Sequence, residues 1–215
     1  MVRSFAIIPA AGQSRRMGRP KLLMPWGSGC VIDQVLQAWC QSQVSETLVT
    51  VRADDEPLLQ QCAQHAVDVV VLDPPPADMK ASVQGALDHI QLHYQPQASD
   101  VWMLAPADMP RLSSALINHV LAAHQPAQPA IIAPRVGDLK GHPVLFPWEW
   151  AATVNQLDSD QGIRELWVRH PGRTIAWEDD GPLEDIDTPD DYQQLKAKQE
   201  DMSKDSGSEL VQQHF

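Results

Sequence analysis

The stretch Phe5-Ala-Ile-Ile-Pro-Ala-Ala-Gly-Gln-Ser-Arg-Arg-Met-Gly-Arg-Pro-Lys21 constrains this chain more than any other. It opens with a short apolar run ending at Ile8, the pattern of a strand buried on both faces in a parallel sheet. Ala10, Ala11 and Gly12 follow, with nothing larger than a methyl group, so a ligand can approach the backbone closely. Gly18 allows a second sharp turn, and Lys21 comes just after it. Arg15, Arg16 and Arg19 lie between, and no acidic residue occurs before Asp33. A buried strand feeding a small-residue, positively charged loop has the parts needed to hold a polyphosphate. The spacing matches neither the P-loop nor the dinucleotide-binding glycine pattern.

The remaining chain alternates short apolar strands with helices. After a loop over Leu22–Gly29, helices are expected over Cys30–Ser42, Glu56–His65, Met79–Tyr94 and Ser113–His124, the last with Ser113 as cap. Strands are expected over Thr47–Val51, Val67–Leu72 and Val101–Leu104, and from Ala130 onward. This order predicts an α/β fold with a doubly wound, mostly parallel, Rossmann-like sheet covered by helices on both faces. Ligands in such sheets bind at the carboxyl ends of the strands, so the first loop and the segment Ala105-Pro-Ala-Asp-Met-Pro110 can converge. Beyond Lys140 the pattern loosens: Gly141–Phe146 reads as a turn into a strand, Glu149–Arg169 as mostly helical and Thr174–Trp177 as a short strand. Thr188-Pro189 with two acids behind it reads as a helix start. A single domain over 1–200 is expected, with 201–215, polar and rich in Ser and Gly, as a disordered tail.

The 215 residues carry a net charge of −12, which argues against nucleic-acid partners and against an anionic membrane surface. No apolar run approaches the ~20 residues that span a bilayer, and Pro9 and the arginines break any signal-peptide pattern. Cys30, Cys40 and Cys62 are odd in number and lack metal-ligand spacing, which suits reduced thiols in a cytoplasmic protein.

Asp108 is flanked by Pro106 and Pro110 in a loop expected to be exposed. It has two readings: a turn or cap carboxylate, or a ligand for a hard cation that shares its shell with substrate phosphates. The acidic block Asp185-Ile-Asp-Thr-Pro-Asp-Asp191 has the usual reading of a solvated surface, which is retained for Asp190 and Asp191. A Ser-His-Asp or Cys-His constellation is not apparent.

Ala10-Ala-Gly-x-Ser-x-Arg-Met-Gly-x-x-Lys21 resembles the signature of the MobA-like nucleotidyltransferases, with Pro9 where that family usually carries leucine. The segments around Asp108, Asp187, Ser82, Gly141-His142-Pro143 and Asp160–Arg164 resemble further family blocks. The resemblance implies the nucleotide-diphospho-sugar transferase type of Rossmann-like fold. It further implies a nucleotide site at Ala10, Ala11, Gly12, Ser14, Arg16, Lys21 and Ser82, with Arg16, Lys21 and Asp108 catalytic. Asp108 and Asp187 would hold Mg²⁺, and His142 and Arg164 would face the acceptor. Family members transfer CMP or GMP to molybdopterin and release pyrophosphate. Guanylyl enzymes typically carry two glycines in the first loop; Ala11 narrows that space and favours the smaller pyrimidine. The expected activity is therefore transfer of CMP from CTP to molybdopterin, serving a molybdenum hydroxylase partner. The alternatives are GTP-dependent guanylyl transfer, nucleotidyl transfer to another phosphorylated small molecule, and a non-catalytic chaperone that delivers molybdenum cofactor.

Overall fold

The computed structural model describes the backbone of residues 2–212 and the side chains of residues 2–201. The first apolar run lies in β1 (Ser4–Pro9), with Phe5, Ala6, Ile7 and Ile8 fully buried. A short hairpin, β2 (Pro25–Trp26) with β3 (Gly29–Cys30), occupies the expected loop. Then come α1 (Val31–Cys40), β4 (Glu46–Arg52), α2 (Glu56–Cys62), β5 (Asp68–Leu72) and α3 (Met79–Tyr94). Asp55 and Asp78 cap α2 and α3, accepting from Leu58 N and Ala81 N. β6 (Val101–Leu104) leads to α4 (Ser114–Ala122), whose cap is the expected Ser113, accepting from Leu116 N at 3.2 Å.

The C-terminal third is more broken than the sequence pattern suggests. β7 (Ile131–Val136), β8 (Leu139–Lys140) and β9 (Val144–Pro147) form antiparallel pairs. The stretch expected to be one helical segment over Glu149–Arg169 is two short helices, α5 (Ala151–Val154) and α6 (Leu166–Arg169), with a turn between them. Asp158, Ser159, Asp160 and Gly162 all favour that turn over helix. β10 (Gly172–Ala176) precedes α7 (Pro189–Gln212), which begins at the expected proline. The backbone of α7 continues past Asp201, and the tail expected over 201–215 falls where side chains lie outside the described residues. No helix among the described residues is long and apolar enough to cross a membrane.

The main sheet runs β10-β7-β9-β6-β1-β4-β5, with β8 paired to β7. β1 is parallel to both neighbours, with Ile7 opposite Leu48 and Leu104. Its residues alternate between two cores, Ala6 and Ile8 on one face and Phe5 and Ile7 on the other. α1, α2 and α4 cover the first face; α3 and the α5–α6 region cover the second. This is the doubly wound arrangement that strands buried on both faces require. The chain moves outward from β1 to β5, then returns over α3 to place β6 on the other side of β1. The carboxyl ends of β1 and β6 are therefore the switch point where such folds bind ligands. β9 is an antiparallel insertion that the sequence did not foretell. It brings Val144 opposite Leu104, so the residues just before β9 lie at the carboxyl end of β6.

At the opposite, amino end of β6, buried Asp100 accepts from Arg3 N at 2.9 Å, Gln97 N at 2.8 Å and the Arg3 guanidinium at 2.9 and 3.1 Å. Burial pushes its carboxyl upward, but the N–H donors of Arg3 and Gln97 and the guanidinium outweigh it and hold the pKa below the usual range. A depressed folded pKa contributes stability above the unfolded value near ~3.9, lost as pH falls through the folded value. Asp100→Asn is expected to cost about 2–3 kcal/mol at pH 7, the scale for hydrogen bonds to a charged group. That corresponds to a fall of about 4–12 °C in thermal midpoint for a chain of this size. The gap from wild type should close as calorimetry is repeated at pH values approaching 3.

Candidate active site

The loop after β1 is shaped by its own short-range chemistry. Ala10 N makes its bond to Thr50 O at 3.0 Å, and beyond it the N–H groups of Ala11, Gly12, Gln13 and Ser14 meet no acceptor among the described residues. Ser14 and Gly18 take left-handed backbone, φ +48° and +68°, and Ser14 O accepts from both Met17 N and Gly18 N at 3.1 Å. Ser14 Oγ accepts from Lys21 N at 3.3 Å, closing the loop. Arg52, at the end of β4, donates through Nη1 to Ala11 O and Gly12 O, both at 3.2 Å. Because the peptides are trans, occupying those carbonyls turns the N–H groups of Gly12 and Gln13 to the other side. Free amides presented this way form an anion site.

Lys21 joins this loop to two distant segments. Its Nζ lies 2.5 Å from Asp108 Oδ2, 3.2 Å from Asp187 Oδ1 and 2.8 Å from Ile186 O. Arg16 Nη2 meets the other Asp187 oxygen at 2.9 Å. Burial alone would lower the Lys21 pKa, but the charge of Asp108 and its hydrogen bond, with Asp187 behind them, raise it above the ordinary value. Asp108 is not on an exposed loop, as the sequence suggested; its side chain is only 14% exposed. Its Oδ1 is buried with no hydrogen-bond partner. Asp185, undecided from sequence, belongs to the same cluster: burial and then the charges of Asp108 and Asp187 push its carboxyl upward.

The acidic block is fixed from below. Ile186 is fully buried and its N–H donates to Asp108 O at 2.9 Å, tying the two metal candidates to one another through backbone. Asp191 does more than face solvent: its carboxylate accepts from Asp187 N at 3.1 Å and Thr188 N at 2.7 Å, while Thr188 Oγ1 accepts from Asp191 N. That is a capping arrangement at the start of α7, and it sets the direction of Asp187. Tyr192 Oη donates to Pro25 O at 2.6 Å, and its ring packs against Trp26.

The structure places Ala10, Ala11, Gly12, Ser14, Arg16, Lys21, Ser82, Asp108 and Asp187 around one cleft of about 590 Å³. Ser82 is buried on the first turn of α3 and donates to Asp78 O at 3.3 Å. His142 and Arg164 line a second cavity of about 690 Å³, separated from the first by Asp78 and Met79, which border both. His142 is held by its N–H to Pro182 O at 2.9 Å; burial pushes its imidazole below the usual range, opposed by the charge of Asp108.

Two residues escaped the sequence reading. Arg52 carries a weak signal, an arginine at the carboxyl end of the strand beside the loop. Lys80 is 9% exposed and donates to Asp158 O at 2.5 Å, fixing the turn that leads to Arg164. A lysine in the first turn of a helix works against the helix dipole and marks a position held for another reason.

A divalent cation fits this donor set. An orphaned buried oxygen on Asp108 and the crowding of three carboxylates against two cations leave negative charge for it to balance. No ready-made cluster of three ligating side chains occurs among the described residues. Mg²⁺ takes one or two carboxylates and completes its shell with water and substrate phosphates, so Asp108 and Asp187 are residues that could hold it.

Residues 6–174 match the model of the MobA-like NTP transferase domain. The chain belongs to this family. It is 25% identical over 193 residues to the molybdenum cofactor cytidylyltransferase of Escherichia coli (strain K12), covering 89% of this chain and 95% of that protein. It is also 25% identical over 204 residues to the molybdenum cofactor guanylyltransferase of Rhizobium meliloti (strain 1021), covering 89% and 90%. Among solved structures it is similar to Rv0371c of Mycobacterium tuberculosis H37Rv, with a TM-score of 0.77, 28% identity and coverage of 92% of this chain and 99% of that one. Rv0371c has also been solved in complex with manganese.

The chain, which belongs to the MobA-like NTP transferase family over residues 6–174, gathers Lys21, Asp108 and Asp187 around one cleft. Lys21→Ala is expected to lower kcat/KM for the triphosphate by at least about a hundredfold, the scale of losing a preorganised charge. Arg19→Ala, exposed on the same loop, should change it by less than about threefold. Equal losses in steady-state assays of the two variants would reduce the loop to a diffuse electrostatic patch.

Proposed function

We propose that this chain transfers CMP from CTP to the terminal phosphate of molybdopterin, forming the cytosine dinucleotide cofactor and pyrophosphate. The observation that carries the reading is the Asp108–Lys21–Asp187 cluster on the wall of the cleft that the phosphate-binding loop lines, a cleft that shares Asp78 and Met79 with the second cavity. A nucleotide in the first cleft would lie against these carboxylates, and an acceptor in the second cavity would reach them past Asp78 and Met79.

An oxygen of the acceptor phosphate attacks the α-phosphorus of CTP. The new P–O bond forms as the bond to the β-phosphate bridging oxygen breaks, and the electron pair leaves on pyrophosphate. A phosphate monoester is already anionic at pH 7, so no general base is needed. Catalysis then rests on positioning and charge neutralisation. The free amides of Ala11–Ser14 hold the β- and γ-phosphates; Arg16 and Lys21 turn from Asp187 and Asp108 to the leaving group. Asp108 and Asp187 would hold Mg²⁺, and manganese bound to Rv0371c supports a divalent cation here. When bound, that ion supplies Lewis-acid stabilisation of the phosphate oxygens. Buried Ala11 at the cleft wall supports the pyrimidine over the purine. The two curated relatives share the same 25% identity with the chain, so the guanylyl alternative is weighed by assay: pyrophosphate release from each of four nucleoside triphosphates with molybdopterin. CTP should give the highest rate, and a cofactor-delivery chaperone would release none.

Ala11→Gly should shift selectivity toward GTP by about 1–3 kcal/mol, the usual worth of a small change in pocket shape. A wild-type preference for GTP would replace the cytidylyl reading with the guanylyl one. Asp108→Asn should cut turnover at least about a hundredfold. Since it also removes a charged partner from half-buried Lys21, a stability loss of about 1–3 kcal/mol should accompany it. Normal turnover at limiting Mg²⁺ would take Asp108 out of the mechanism.

A further inference from the structure

The second cavity contains an aromatic side chain that the chemistry above leaves unused. Trp167, on α6, lines this cavity and is half-buried, unlike the fully enclosed Trp39 and Trp102. Its benzo edge rests on the backbone of Gly172. A Cβ built there would come within 2.2 Å of Cζ3 and 2.3 Å of Cε3, so any side chain would push the ring out of place. The ring is therefore positioned by backbone. Lys140 places its ammonium 4.0 Å from the ring centroid. It stands on β8, a two-residue exposed strand at the end of the Gly137 turn, and no carboxylate pairs with it among the described residues. Around this pair the cavity is apolar at Leu104, Val144 and Phe146, with the cationic Lys80 and Arg164 also bordering it.

The magnitudes decide what such a pair can do. A cation over an aromatic face at an exposed site gains ~0.5–1 kcal/mol, whereas a flat heterocycle stacked on the same ring gains ~1–3 kcal/mol. A planar ligand can therefore take the lysine's place, and the released ammonium has a short reach to an anion on that ligand. We propose that Trp167 and Lys140 are the specificity-determining pair for the acceptor: a planar nitrogen heterocycle stacks on Trp167, and Lys140 moves off the ring to its anionic side group. The inference rests on the reading that the acceptor enters this cavity, and it adds that an aromatic acceptor is selected over a sugar phosphate.

Calorimetric titration with a phosphorylated pterin, the same pterin without phosphate, and ribose 5-phosphate tests it, with CTP affinity as the control for an intact fold. Wild type should bind the phosphorylated pterin and not ribose 5-phosphate. Trp167→Leu, which fills the space without a ring, should weaken phosphopterin binding by at least about tenfold, and Trp167→Phe by less than about threefold, with CTP affinity unchanged. Lys140→Met, on an exposed strand, should weaken the phosphorylated pterin and leave the unphosphorylated one as tight or tighter. Equal phosphopterin affinity in wild type and the Leu variant would overturn the stacking inference and leave the molybdopterin reading standing. Binding of ribose 5-phosphate alone, or of neither probe, would overturn both. Should Trp167→Leu lose CTP binding, Lys140→Met decides: indifference to both pterins overturns the proposal.

Discussion

A single ammonium holds the functional half of this molecule together. Lys21 lies 87 residues from Asp108 and 166 from Asp187, yet its Nζ contacts both carboxylates and the carbonyl of Ile186. Asp108, Asp185 and Asp187 crowd one another, and in the absence of a cation they would repel. Lys21, with Arg16 on the outer oxygen of Asp187, makes that crowding tolerable. The backbone bond from Ile186 N to Asp108 O and the burial of Ile186 supply the apolar and hydrogen-bond anchor. The electrostatic and packing terms thus reinforce each other.

The parts of the fold legible in sequence are those dictated by local periodicity. β1, β6, α3 and the cap of α4 follow from short apolar runs, helical spacing and one serine. The candidate site residues were picked out through resemblance, because their spacing matched a known signature; periodicity could have shown only that their loops sit at strand ends. What escaped depends on pairing between distant segments. Nothing local to Val144–Pro147 states that it runs antiparallel between β6 and β7. Asp191 looked like a surface acid because the N–H donors to its carboxylate are supplied by the turn before it, and Asp108 looked exposed because Lys21 arrives from another segment. Glu149–Arg169 misled for the reverse reason: its apolar residues are spaced acceptably for a helix, but the Asp158–Gly162 turn divides them.

That antiparallel insertion matters for function. A purely parallel sheet would place at the end of β6 only the loop that carries Asp108. With β9 reversed beside β6, the chain entering it delivers His142 to the same edge, and Lys140 and the α6 region form the wall beyond. Asp78 and Met79, at the start of α3, then stand between the two cavities. The two cavities draw on different parts of the chain: the first chiefly on β1 and its loop, the second chiefly on the C-terminal third.

Charge exchange follows from this construction. The chain as a whole is acidic, with a net charge of −12, and would repel a polyphosphate at long range. Close in, the basic loop reverses that sign, but Arg16 and Lys21 are already paired with Asp187 and Asp108. A triphosphate that draws them away gains two cationic contacts and strands two carboxylates, so those contacts alone yield little net affinity. The balance tips only if the exposed carboxylates acquire a positive partner in the same event, or if contacts that were free beforehand carry the binding. The open amides of Ala11–Ser14 are such contacts, since they have no acceptor among the described residues to give up. Arg52 keeps them open by holding the carbonyls of Ala11 and Gly12. The loop's backbone, more than its charged side chains, is therefore the part of the site that favours a phosphate without disrupting a bond the folded chain already makes.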